Sequence, residues 1–138
     1  MYRFLIAMVL LLPGSVEGQG QRSLPEAAEA ARTAWFGHHA SELVADSPRL
    51  LVQLPGTDPS AALGPAQAAA LLSDFLAPAQ EVEIVVRGAR EVEQNRGYVE
   101  LLRRYRVTGT QDVRSQSLLL GYRLTRAGWS LVELRVVE

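Results

Sequence analysis

The stretch from Gly97 to Val137 constrains this chain most. It reads GYVELLRRYRVTGTQDVRSQSLLLGYRLTRAGWSLVELRVV, and two turn signals, Gly109 to Asp112 and Arg126-Ala127-Gly128, cut it into three runs of alternating residues. Alternation at period two marks a strand with two different faces, so the stretch predicts three long antiparallel strands. In the first, Val99, Leu101, Arg103, Tyr105 and Val107 share one face, and Glu100, Leu102, Arg104 and Arg106 the other. In the second, Leu118, Leu120, Tyr122 and Leu124 oppose Ser117, Leu119, Gly121 and Arg123. The last sets Val132, Leu134 and Val136 against Trp129, Leu131, Glu133 and Arg135. A fourth strand comes before them. From Glu81 onward Val82, Ile84 and Val86 alternate with Glu83, Val85 and Arg87, Gly88 marks a bulge, and Gln94 to Gly97 turns the chain.

Upstream the period is helical. Ser23 precedes Leu24-Pro25-Glu26, which places a capping serine three residues before a glutamate and a proline in the first turn. Ala27, Ala28, Ala31, Ala34 and Trp35 then recur at helical spacing, and Gly37 is expected as a left-handed cap. A short helix over Ala40 to Ala45 ends at Asp46-Ser47-Pro48. Arg49 to Leu54 is a short apolar run with turn residues on both sides, a buried or edge strand, and the loop Pro55 to Pro59 follows. Gly64-Pro65 opens a third helix with the stripe Ala68, Leu71, Leu72, Phe75, Leu76, and Pro78 stops it. Helices gathered ahead of a strand meander predict an α+β fold with the helices on one sheet face.

With 138 residues the chain fits one domain that can bury a real core. Its formal net charge of -1 gives no field favouring nucleic acid, and it has no cysteine, which removes disulfides and thiolate chemistry. Met1 to Gly20 has a short n-region with Arg3, an apolar run from Phe4 to Leu12, the breaker Pro13-Gly14 and then small residues. This is the outline of a secretory signal peptide, with Val16 and Gly18 at the -3 and -1 positions. The expectation is a signal peptide over 1–18, a single domain over 19–138, a periplasmic or extracellular location, and no stable membrane anchor after cleavage.

The element order, together with Ala34-Trp35-Phe36-Gly37, Val52-Gln53-Leu54-Pro55-Gly56, the helix Gln67 to Leu76 and the closing Gly128 to Leu134, resembles the nuclear transport factor 2-like superfamily with its SnoaL-like and ketosteroid isomerase-like branches. Ala66-Gln67-Ala68, Leu71 to Leu76 and the Leu131 to Val137 ending look more narrowly like a domain-of-unknown-function family of small exported bacterial proteins. The resemblance implies a curved sheet wrapped around helices, a pocket in the open end of the cone, and dimerisation through the outer sheet face. In the isomerase-like branch the general base and an oxyanion-donating Tyr would fall at Leu54 and Ala30, neither of which can act so. The implied role is an exported non-catalytic domain that binds a small apolar or amphipathic ligand, or a protein partner. The alternatives are a diverged isomerase or cyclase and a cell-envelope interaction module.

The polar exceptions on the apolar strand phase point to a site. Arg103, Tyr105, Gln116 and Tyr122 must find partners there, and a pocket walled by Trp35, Leu54 and Phe75 would supply them. Val85, Leu102, Leu119 and Leu131 are expected to form an apolar stripe on the other face, rimmed by charge, as a homodimer surface. His38 and His39 read as a solvated helix cap, and no metal or cofactor is expected. Arg103-Arg104-Tyr105-Arg106 invites a nucleic-acid reading, but alternate residues of a strand point to opposite faces, which splits the cluster.

Overall fold

The computed structural model describes residues 22–93 and 95–138, so the expected signal peptide lies outside the described residues. Helix α1 (Leu24–Phe36) begins where the sequence places it: the Ser23 hydroxyl accepts from the Glu26 backbone N–H at 3.2 Å. Its end differs from expectation. Gly37 has φ -82°, and the left-handed residue is His38 at φ 57°. Gly37 is needed for space instead, since a Cβ there would sit 2.5 Å from the His39 ring. Helix α2 (Ala40–Leu43) is shorter than predicted. Strand β1 (Leu51–Gln53) and helix α3 (Pro65–Leu76) follow, then β2 (Ala79–Glu91), β3 (Arg96–Val107), β4 (Val113–Thr125) and β5 (Gly128–Val137).

One five-stranded sheet results, in the order β1-β5-β4-β3-β2. Strands β2 to β5 form the predicted antiparallel meander, and β1 joins the far edge parallel to β5. The helices cover one face, and the core lies between them and the sheet. Leu72, Leu76, Leu118, Leu120 and Leu134 are each at most 1% exposed, and each contributes about 1.5–3 kcal/mol by leaving water. At the N-terminal end of α1, Leu24 packs on the backbone of Gly97, where a Cβ would fall 2.7 Å from Leu24 Cδ2 and 3.2 Å from Trp129 Cζ3.

The predicted phases hold in β3 and β4 but fail in β2 and β5, because three bulges interrupt the pairing. Arg87 is the extra residue at the bulge that Gly88 announces. Val82 is a second: Glu81 opposes Tyr105 and Glu83 opposes Arg104, so Val82 has no partner across the ladder. Glu81 therefore shares the covered face with Ile84, while Glu83 stays outside. The third is Val132, between Glu133 opposite Gly121 and Leu131 opposite Tyr122. It moves Leu131 and Trp129 to the core side, where they are 3% and 7% exposed. Leu131 is thus not part of any outer stripe. A bulge bends its strand and increases local twist, so the three together curve the sheet.

Candidate functional site

Between the C-terminal ends of α1 and α3 and the facing sheet lies a polar cluster inside the core. Trp35 comes from the last turn of α1, Phe75 from α3, Glu81 from β2, Arg103 and Tyr105 from β3, and Gln116 from β4. The side chains of Arg103 and Glu81 are 1% and 2% exposed. Arg103 Nε donates to both Glu81 oxygens at 2.9 Å. Its Nη2 lies 2.7 Å from Glu81 Oε1 but off the hydrogen-bond direction, so that contact is coulombic. Nη1 donates to Gln116 Oε1 at 2.8 Å, and Gln116 Nε2 reaches Glu138 Oε1 at 3.5 Å.

The rest of the guanidinium is enclosed by rings. Its carbon lies 4.1 Å from the Tyr105 centroid, 5.3 Å from that of Trp35 and 5.5 Å from that of Phe75. Each ring presents its negative face to the cation, an attraction worth more when water is excluded. Trp35 and Phe75 meet edge to face at 6.4 Å, and Trp35 Nε1 donates to Glu81 Oε1 at 3.0 Å. His38, in its left-handed conformation, turns Nε2 to within 3.4 Å of the same oxygen. The expected solvated cap holds only in part: His39 is exposed, while His38 is 30% exposed with Nε2 buried. Glu81 Oε1 thus faces Arg103, Trp35 and His38 together. A buried pair of this kind is tolerable only when such additional groups satisfy both ions.

Of the side chains expected around a pocket, the structure brings together Trp35, Phe75, Arg103, Tyr105 and Gln116, and it packs them against each other. Leu54 is half-buried against the core and borders a separate surface hollow with Pro55, Thr57 and Glu138. Tyr122 sits six residues beyond Gln116 on β4, about 20 Å away along an extended strand, beside the other end of α1. There it lines a cavity of about 40 Å³ with Ala30, Ser47 and Trp129. Burial pushes the Tyr122 phenol far above its ordinary range, with Arg22 acting weakly in the opposite sense. Sequence reasoning missed Glu81. The signal was there: an arginine on a core face demands a carboxylate, and Glu81 is the nearest one on the adjoining strand.

Open space lies on the opposite, outer face. A groove of about 720 Å³ runs over Gly88, Tyr98, Glu100, Leu119, Gly121 and Arg135. Gly88 and Gly121 give it a floor of bare backbone, and the Arg87 and Val132 bulges flank it on either side. Leu102 and Leu119 are half-buried here and Val85 is 42% exposed. Among the described residues no cluster of three His, Cys, Asp or Glu side chains is placed to hold a metal ion.

No family model and no curated protein matches this sequence. Solved structures do resemble it. A DUF4783 family protein from Bacteroides uniformis superposes with a TM-score of 0.65 at 11% identity, covering 80% of this chain and 94% of its own. A ketosteroid isomerase-like protein from Erwinia carotovora atroseptica gives 0.64 at 15% identity, covering 82% and 91%. A protein of ketosteroid isomerase-like fold from Catenulispora acidiphila, solved in complex with trimethylamine, gives 0.66 at 15% identity, covering 84% and 87%. The fold is therefore nuclear transport factor 2-like, shared with ketosteroid isomerase-like and domain-of-unknown-function proteins. At these identities the likeness concerns fold alone.

Proposed function

We propose that this chain is an exported, non-catalytic binding domain whose recognition surface is the outer face of the sheet. The observation that carries this reading is the state of the cone interior. Among the described residues the carboxylate buried there, Glu81, is taken up by Arg103 and Trp35, and the aromatic side chains that would wall a pocket are packed on Arg103 instead. A general base needs a lone pair aimed at space where a substrate can sit, and the Glu81 carboxylate is 2% exposed and held by Arg103 and Trp35. The groove over Gly121 is open. The trimethylamine complex of a similar fold supports a binding role in general, and the Met1 to Gly18 segment supports export.

A second reading, self-association through the same face, draws support from its surface. Leu51, Val85, Tyr98, Val113 and Val137 all stand exposed on the outer strand phase, at 39–45%. The apolar side chains are interleaved with charge, Glu100 and Arg135 flanking Leu119 and Glu133 standing between Gly121 and Leu51, and a face carrying both signs can complement a second copy of itself. The test is native mass spectrometry with light scattering on the mature protein purified from its own host. The expected result is a co-purifying molecule or a dimer that survives Trp35→Phe and is lost in Leu119→Arg. Retention in Leu119→Arg would move the binding surface elsewhere.

A further inference from the structure

The groove has a charged end that its own residues leave unanswered. Arg96 on β3 and Arg123 on β4 are direct cross-strand partners on the outer face, and both are exposed. Like charges placed opposite one another weaken a sheet, so a carboxylate nearby would be the ordinary remedy. Among the described residues none pairs with either arginine. Outer-face pairing is available in this sheet, since Arg104, eight residues further along β3, holds Glu83 at 3.2 Å. A hollow of about 310 Å³ lies over the two arginines, walled by Leu51 and Val132. It shares Tyr98, Gly121 and Glu133 with the larger groove, so the two form one trough.

From this we infer that the trough docks an extended acidic peptide segment of a partner protein, with a carboxylate seated between Arg96 and Arg123 and an apolar residue beside Tyr98 and Leu51. The inference rests on the outer-face reading above and names the chemistry of what binds there. Charge complementarity argues for an anion: two cations converge on the hollow and only Glu133 opposes them. Shape argues for a chain rather than a small molecule. A trough open along its length cannot enclose most of a small ligand's surface, whereas an extended segment meets it residue by residue. Tyr98, 45% exposed and lying over Gly121, offers the flat apolar contact that such a segment needs.

The experiment titrates the mature protein with a short peptide of alternating leucine and glutamate, with leucine–serine and leucine–lysine counterparts, by fluorescence anisotropy and amide NMR. The expected result is binding of the acidic peptide with shifts at Arg96, Tyr98, Arg123 and Glu133. Arg96→Glu/Arg123→Glu should bind it about tenfold more weakly, because two exposed charge contacts change sign. Arg49→Glu/Arg114→Glu, two exposed changes away from the trough, matches the change in net charge and should bind as the parent does. Circular dichroism of each variant establishes that it is folded. Equal binding of the serine or lysine peptide with the same shifts overturns the acidic inference and leaves the outer-face reading standing. Shifts confined to Trp35, Phe75 and Arg103 overturn both, and no binding by any peptide overturns the peptide inference while the outer-face reading stands or falls on Leu119→Arg. Attachment to phosphatidylglycerol vesicles without peptide binding replaces the peptide with a lipid surface.

Discussion

Arg103 and Arg104 are neighbours in sequence and opposites in everything else. Both pair with a glutamate from β2, Arg103 with Glu81 and Arg104 with Glu83. The first pair is at most 2% exposed, shares its oxygen with Trp35 and is stacked by three rings. The second is 44% and 50% exposed. One strand thus carries the same chemistry on two faces, once as part of the core and once as a solvated ornament of the surface. The difference separates a pair that cannot lose one half without leaving a buried charge from a pair whose halves are each solvated.

The largest effect that could break the contrast is at Glu81. Glu81→Gln keeps the shape but leaves the Arg103 guanidinium uncompensated in the core, which costs about 3–5 kcal/mol. Urea unfolding should show that loss. Glu81→Leu/Arg103→Met removes both ions together and should recover most of it, because breaking a buried pair is worse than replacing it. A loss below about 1 kcal/mol for Glu81→Gln would mean that water reaches the pair and that the cone is open.

Next in size is Gly97. Its missing Cβ leaves room for Leu24, so Gly97→Ala forces the first turn of α1 outward and should cost about 1–3 kcal/mol. Leu24→Ala in the same chain should make the added methyl less costly. A neutral Gly97→Ala would show that this end of the inner face yields as easily as a surface.

Tyr122 gives a pH signature from the same end. Its phenol is held protonated by burial, so folding contributes stability that is fully present below about pH 10, the ordinary value of an unfolded tyrosine. Above that the unfolded state sheds a proton that the folded state keeps, and stability falls by up to about 1.4 kcal/mol per pH unit. Tyr122→Phe should flatten the decline.

These residues also show what the sequence could and could not disclose. In β3 and β4 the alternation is unbroken from Tyr98 to Tyr105 and from Gln116 to Tyr122, and every inward residue was readable. Gly88 betrayed its bulge because glycine is unusual inside a strand. Val82 and Val132 did not, because valine is a favoured strand residue and carries no mark of a bulge. Each hid a change of face. One concealed Glu81, and with it the partner of Arg103; the other made Leu131 read as surface. Tyr122 was rightly placed on the inner phase, but phase says nothing of distance along a strand, so it was grouped with Gln116 at the wrong end of the sheet. Glu83 and Arg104 were legible as outer-face charges but not as partners, and their pairing supplies the sharpest test of the outer face itself.

A double-mutant cycle through Glu83→Ala and Arg104→Ala should give a coupling of about 0.2–1 kcal/mol, as exposed pairs do. Added salt should erase it, since charges in water are screened within about 10 Å at 0.1 M. The corresponding cycle through Glu81 and Arg103 should resist salt, because no ion can enter a pair that is 1–2% exposed. The value of the outer cycle lies in its exceptions. A coupling that persists in high salt at high protein concentration, and disappears on dilution, would mean that a second copy covers Arg104 and desolvates the pair. Self-association would then own the outer face. A small, salt-sensitive coupling at every concentration leaves that face free for a partner whose charge answers Arg96 and Arg123.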